Sequence, residues 1–262
     1  MKSCIVIFPL HKAPDQLELA FLERGLNLTK GYKQVIAAPE GLIVDGSFGQ
    51  LEKLEVKRFA KHYFENISGY NQLLLAKGFY AAFALFEYML IHQADVYLFK
   101  DELNLWCEKD YDYIGAPWFK PDYLNPSKPI KLWQKIKLYF KKDKLYASRC
   151  NKVGNGGFTL RKINSALKVL EKVEPALLKK YTHSQGEAYN EDIFWSLEAP
   201  QIIDFKIPAW EEAMHFAIEF NPAAAYKYLN EQLPFGCHAP LKHDPDFWSQ
   251  HIVELKTEAR KR

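Results

Sequence analysis

No apolar run in this 262-residue sequence is long enough to cross a bilayer. The longest, Phe79 to Phe86, stops at Glu87, against the roughly 20 residues a spanning helix needs. Cysteine is scarce: Cys4, Cys107, Cys150 and Cys237 are widely separated, with no C-x-x-C ligand pair, and read as reduced, buried thiols rather than a disulfide scaffold. A large excess of either charge is missing too. With a net charge of +3, nothing global argues for nucleic acid as a partner. There is no low-complexity tract and no internal repeat. Met1–Pro9 carries one lysine and a short apolar run, without the length or small-residue cleavage site of a signal peptide, so a cytoplasmic location is expected.

What is present is the composition of an ordinary globule, 48% hydrophobic and 26% charged, in a chain long enough to bury a full core. Aromatic residues reach 15%; their faces suit sugar rings and equally suit a packed core. Cys4–Phe8 is a continuous apolar run closed by Pro9, as in a strand buried on both faces. Pro14 and Asp15 open a helical segment with Leu17, Phe21 and Leu28 on one face, and Gln34–Ala38 is a second strand ending at Pro39. Strand, helix, strand predicts a βαβ unit and a parallel sheet. The stretch Gly41–Gly69 reads as polar, Tyr70–Phe86 as two short helical pieces, and Tyr88–Ile91 as a central strand delivering Gln93 and Asp95 at its carboxyl end. Asp101 is placed to cap the next helix. Tyr113–Ala116 and Phe158–Leu160 return to strand character. A helix follows from about Asn164 to Leu178, with Pro175 as a break point. Asn190 can cap another through Ile193 and Trp195, and Pro234–Pro245 is loop-like.

Four segments could carry chemistry. In open α/β sheets, ligands bind outside the carboxyl ends of strands, and a carboxylate such as Asp95 there can hold Mg²⁺ or Mn²⁺ against a diphosphate; it can equally just end a strand. Gly154-Asn155-Gly156-Gly157 would let backbone approach a ligand closely, although Asn-Gly between apolar segments is also a hairpin signal. Glu191 and Asp192 complement a helix dipole, or one of them serves as general base. His238, in Pro234-Phe235-Gly236-Cys237-His238, is a metal or phosphate ligand or a surface loop residue, and His243 is an equal candidate.

Taken together these segments resemble a bacterial group of glycosyltransferase-like proteins of unknown function, related to the GT-A superfamily. The likeness runs through Phe64–Asn71, Phe86–Phe99, Tyr113–Trp118, Gly154–Arg161, Asn190–Ser196 and Leu233–Ala239, so it spans most of the chain. It implies a GT-A-like α/β fold: a mixed, mainly parallel sheet flanked by helices, with a nucleotide-binding half (about 1–100), an acceptor half (about 101–245) and a basic tail (246–262). Gln93-Ala94-Asp95 is similar to the Asp-x-Asp metal motif with Gln in its first place, which weakens affinity for Mn²⁺ or Mg²⁺. Asp95 inherits the metal or diphosphate role and Gln93 a donor hydrogen bond. His238 resembles the C-terminal His that completes the metal site, and Asp192, beside Glu191, resembles the base of inverting enzymes. Pro9, His11 and Lys12 would lie against the nucleotide, while Trp118, Asn155, Gly156 and Gly157 would meet the acceptor. The implied reaction moves a sugar from a nucleotide-sugar to a glycan or lipid-linked saccharide, in surface polysaccharide or lipopolysaccharide synthesis. A non-catalytic sugar- or nucleotide-binding protein remains open because of Gln93. A nucleotidyltransferase is a weaker alternative, since Pro9-Leu10-His11-Lys12 has no glycine.

Lys128–Lys144 holds seven lysines interleaved with Leu132, Trp133, Ile136, Leu138, Tyr139 and Phe140. This suits an amphipathic helix on an anionic membrane face, and equally a solvated helix packed on the domain.

Overall fold

A computed structural model describes residues 2–121, 149–184 and 186–259. The basic aromatic segment 128–145, expected to meet either a membrane or the domain, lies outside the described residues, as does the end of the tail.

The expected βαβ unit is present. Strand β1 (Cys4–Pro9) leads into helix α1 (Gln16–Leu28) and strand β2 (Lys33–Pro39), which pairs parallel to β1. Asp15 starts α1 with a capping box: its side chain accepts from Leu17 and Glu18 N–H, and the Glu18 side chain accepts from Asp15 N–H. The sheet continues with β3 (Glu55–Phe59), β4 (Tyr88–His92), β6 (Tyr113–Gly115) and β7 (Phe158–Lys162), in the order β3-β2-β1-β4-β7-β6. Strands β3, β2, β1 and β4 are parallel, while β7 runs antiparallel to both its neighbours. This is the mixed, mainly parallel sheet flanked by helices expected of a GT-A-like α/β fold. The central strands are buried on both faces. Val6, Ile7, Phe8, Met89, Leu90 and Ile91 are shut off from solvent, at about 1.5–3 kcal/mol for each large side chain.

A smaller sheet positions the site. The chain leaves β4, turns through Gln93, Ala94 and Asp95, and enters β5 (Val96–Leu98), which belongs to a three-stranded sheet of order β5-β9-β8. Its partners are β9 (Gly236–His238), antiparallel to β5, and β8 (Ala217–Ile218), parallel to β9. The Gln93–Asp95 turn is therefore where the chain crosses between sheets, at the carboxyl end of β4 and beside the place where strand order reverses between β1 and β4.

Several local expectations change. The stretch Gly41–Gly69 contains β3, an edge strand whose only apolar residues, Val56 and Phe59, leave it hidden in a polar composition. Asp101 does not cap the following helix, Leu103–Glu108: Glu102 occupies the cap position and makes no capping bond. Pro175 starts a second helix, Pro175–His183, after Ile163–Lys172 has ended, because its fixed φ suits a first turn. Pro234–Pro245, expected to be loop-like, contains β9, whose strand character comes only from pairing with two distant segments. The helix expected after Asn190 does form, as Glu191–Ile193, a π-helical turn Phe194–Glu198, and Ala199–Ile202, but Asn190 makes no side-chain capping bond because its Oδ1 accepts from Asn71. Cys4, Cys107, Cys150 and Cys237 are free thiols. Among the described residues no helix is long and apolar enough to cross a membrane.

Candidate functional site

Backbone pairing brings the motif residues together. Register sets His92 of β4 opposite Phe158 of β7, so Gln93 falls beside Gly157 and its N–H donates to the Gly157 carbonyl at 3.0 Å. In the small sheet Val96 lies opposite His238, and Ala239 N–H donates to the Asp95 carbonyl at 2.9 Å. Two ladders, one from each sheet, therefore deliver Gln93, Asp95, Gly157 and His238 to one spot. A cleft of about 1470 Å³ opens over it. Its walls include every expected acceptor, metal and base residue: Trp118, Asn155, Gly156, Gly157, Asp95, His238, Glu191 and Asp192, with Gln93 among them.

Pro9, His11 and Lys12 are not on those walls. Leu10 is buried and its N–H pairs with the Ala37 carbonyl, which ties the start of their loop to the β2 side of the sheet. Lys12 is spent on Glu18, 3.6 Å away in the first turn of α1.

His238 organises one end of the cleft. Its Nδ1 lies 3.0 Å from Glu219 Oε1, and its Nε2 lies 3.3 Å from both Asp95 Oδ1 and Gln93 Oε1. Burial disfavours the imidazolium, but the flanking Asp95 and Glu219 carboxylates outweigh it and push His238 up to about 10. For Asp95, burial acts upward and the facing His238 acts downward more strongly, leaving its carboxyl below the usual range. Half of the Asp95 side chain stays exposed to the cleft. Gly157 is glycine because of this cluster: a Cβ there would come within 2.2 Å of His238 Nε2 and 2.4 Å of Gln93 Oε1. The buried Tyr70 hydroxyl sits by the Gln93 amide without a hydrogen bond of ordinary geometry.

The other end is acidic. Asn155 has a left-handed backbone (φ 74°), and its side-chain oxygen accepts from Gly157 and Phe158 N–H at 2.8 and 3.1 Å, closing the glycine turn. This turn, not a hairpin, is the product of the Gly-Asn-Gly-Gly run. It aims Asn155 N–H at Asp192 Oδ2, 3.1 Å away. Burial, then the neighbouring Glu191 and Glu219, push the Asp192 carboxyl up to about 7. Glu191 itself is 2% exposed and is gripped by both arms of Arg161, at 2.9 and 3.0 Å. That grip commits both Glu191 oxygens to Arg161, whereas Asp192 pairs with backbone N–H groups.

Three contributors escaped sequence reasoning. Glu219 bridges the two ends, holding His238 on one oxygen and accepting from Asn155 Nδ2 at 3.2 Å on the other. Its signal was faint, an acid directly after the apolar pair Ala217-Ile218. Asn71 donates to Asn190 Oδ1 at 3.1 Å and accepts from Glu191 N–H at 3.2 Å. Lys242 lines the cleft beyond His238. His243, the alternative to His238, lines it as well, 3.7 Å from Glu219 and packed on Phe220, but does not face Gln93 or Asp95.

The mixed sheet thus carries an acid-and-histidine cluster at the carboxyl end of β4. The chain belongs to the family described as "Protein of unknown function (DUF5672)", whose model matches residues 53–238. Its structure is similar to the crystal structure of a glycosyltransferase involved in the glycosylation of the major capsid of PBCV-1, with 12% sequence identity, a TM-score of 0.45, and coverage of 90% of this chain and 92% of that one. No curated protein matches the chain in sequence.

Proposed function

We propose that this protein is a glycosyltransferase that moves a hexosyl unit from a nucleotide-sugar to a hydroxyl of a glycan or lipid-linked saccharide, on the cytoplasmic side of surface polysaccharide synthesis. One observation carries the reading. A single cleft holds an ionised carboxylate–imidazolium pair at one end and a carboxylate poised near neutral pH at the other, joined through Glu219 and the glycine turn.

The two ends suit the two halves of the reaction. The acceptor oxygen bonds to the anomeric carbon as the bond from that carbon to the phosphate oxygen breaks, and its electron pair leaves with the nucleoside diphosphate. Asp192 is the group that takes the acceptor proton. A base works best with a proton affinity near the operating pH, which is where its burial places it. That assignment fits an inverting reaction. At the other end, Asp95, Gln93 and His238 receive the diphosphate. Lys242 adds positive charge on the same wall.

Among the described residues no three His, Cys, Asp or Glu side chains group as a metal centre; a Mn²⁺ or Mg²⁺ at this end would be held by Asp95 and His238 with the Gln93 amide as a third ligand. Asp95 Oδ1 and Gln93 Oε1 both face His238 Nε2, Gly157 leaves the space open, and Glu219 on Nδ1 is the carboxylate support metal-bound histidines commonly have. When bound, the cation would neutralise charge on the departing diphosphate. With an amide in place of one carboxylate, and a proton to displace from His238, its affinity is expected to be modest.

Turnover across a panel of nucleotide-sugars, with Mn²⁺ or with chelator, tests the reading. The wild type should release nucleoside diphosphate from one donor, and Asp95→Asn should lose most of that rate while still folding. Donor binding that stabilises the protein without any turnover would replace the transferase reading with that of a binding protein.

A further inference from the structure

Glu191 is walled in, yet its setting is more elaborate than a buried ion pair needs. Both its oxygens are held by Arg161, which is 1% exposed and is itself fixed by Thr159 Oγ1 at 2.8 Å, by the Tyr80 hydroxyl at 2.8 Å and by the ring faces of Tyr113 and Trp195. The backbone around it is pinned independently by the paired amides of Asn71 and Asn190. Gly156, in the turn that binds Asp192, has no room for a side chain because Glu191 Oε1 would lie 2.1 Å from a Cβ there. The glycine turn therefore rests directly on the Glu191 carboxylate, and the next residue in the turn's grip is Asp192. Buried ion pairs contribute little net stability compared with apolar residues of the same shape, so stability alone is a poor reason for this arrangement.

We propose that Glu191, clamped by Arg161, is a positioning residue for Asp192: it fixes the place of that carboxylate and supplies the negative charge beside it. The inference rests on the reading of Asp192 as the proton acceptor, and it assigns Glu191 a part that involves no contact with substrate. The groups that face Asp192 divide cleanly. Glu191 from its own helix and Glu219 from the end of β8 are anionic and raise its proton affinity, while the N–H groups of Asn155 and Ile193 lower it. Arg161 of β7 is paired with Glu191, and Tyr113 of β6 is a neutral phenol held well above its ordinary range by burial. Glu191 thus keeps the base hungry for a proton at neutral pH; burial raises the Glu191 carboxyl as well, and the Arg161 clamp opposes that rise.

The test is a titration that does not depend on catalysis. The carbon-13 carboxyl resonance of Asp192, assigned by its loss in Asp192→Asn, should titrate near 7 in the wild type. In Glu191→Gln its midpoint should fall by about one pH unit or more, a tenfold loss of proton affinity. If that variant fails to fold with Arg161 left unpaired, Glu191→Gln with Arg161→Met removes both charges, and the midpoint should still fall, by less. A midpoint that stays put in a folded variant overturns the proposal. The kinetic arm separates the two readings. With a turning-over donor, the acid limb of kcat/KM should move to lower pH in Glu191→Gln. An unchanged rate in Asp192→Asn would sink the assignment of the base while leaving the titration result standing.

Discussion

The two acidic ends of the cleft carry the same functional group and behave in opposite ways. Asp95 is half exposed and faces an imidazolium, so it stays ionised well into acid. Asp192 is half-buried and faces two carboxylates, and burial together with those neighbours makes it hold its proton up to about 7. Two carboxylates whose surroundings push their proton affinities apart are how a protein divides charge stabilisation from proton transfer. The difference is made by partners, not by residue type. His238 stands beside one, Glu191 beside the other, and Glu219 touches the fate of both.

The largest effect should come from taking the proposed proton acceptor away. Asp192→Asn is expected to lower transfer by roughly 10²- to 10⁴-fold. The same change should stabilise the fold in base. The folded value of about 7 lies above the ordinary 3.8, so the unfolded chain gives up its proton more readily, and this penalty grows as pH rises from 3.8 and is complete above 7. Urea unfolding at about pH 5 and about pH 8 should show the variant's advantage growing with pH, on the order of 1–3 kcal/mol. No gain at the higher pH would mean the site does not disfavour the carboxylate.

Next comes the clamp. Arg161→Met leaves the Glu191 carboxylate buried without its partner, and breaking such a pair costs about 3–5 kcal/mol. A shift in the urea midpoint worth less than about 1 kcal/mol would show that Glu191 finds relief elsewhere.

The smallest effect sharpens the opposite end. His238 rises from 6.5 to about 10 on folding, so its contribution is fully present below 6.5 and is lost as pH climbs through 10. The wild type should lose on the order of 1–3 kcal/mol across that window, relative to His238→Gln, in metal-free thermal melts. Parallel pH curves for the two proteins would remove the imidazolium from this account.

Much of the fold was legible because it is written in neighbouring residues. Cys4–Phe8, the Asp15 cap, Gln34–Ala38 and Tyr88–Ile91 follow from local apolar runs and caps, and the structure has a strand or helix at each. Residues singled out by motif, Asp95, Asn155, Asp192 and His238, do converge on one cleft. The loop of Pro9, His11 and Lys12 does not join them, and Glu191 joins as a supporting group beneath the surface. Strands β3 and β9 were hidden because a short strand with few apolar residues is made by its neighbours' hydrogen bonds and has little pattern of its own.

The sequence by itself determined which chemistry was on hand: acids at the end of a strand and the start of a helix, a glycine run without Cβ atoms, and a histidine near the C-terminus. Only the tertiary structure decided what each would do. Proton affinity and hydrogen-bond geometry depend on charges a few ångströms away in space, and those come from Glu219 to Asn155 across 64 residues, Arg161 to Glu191 across 30, and Asn71 to Asn190 across 119. Electrostatic energy falls with distance through space and takes no account of distance along the chain.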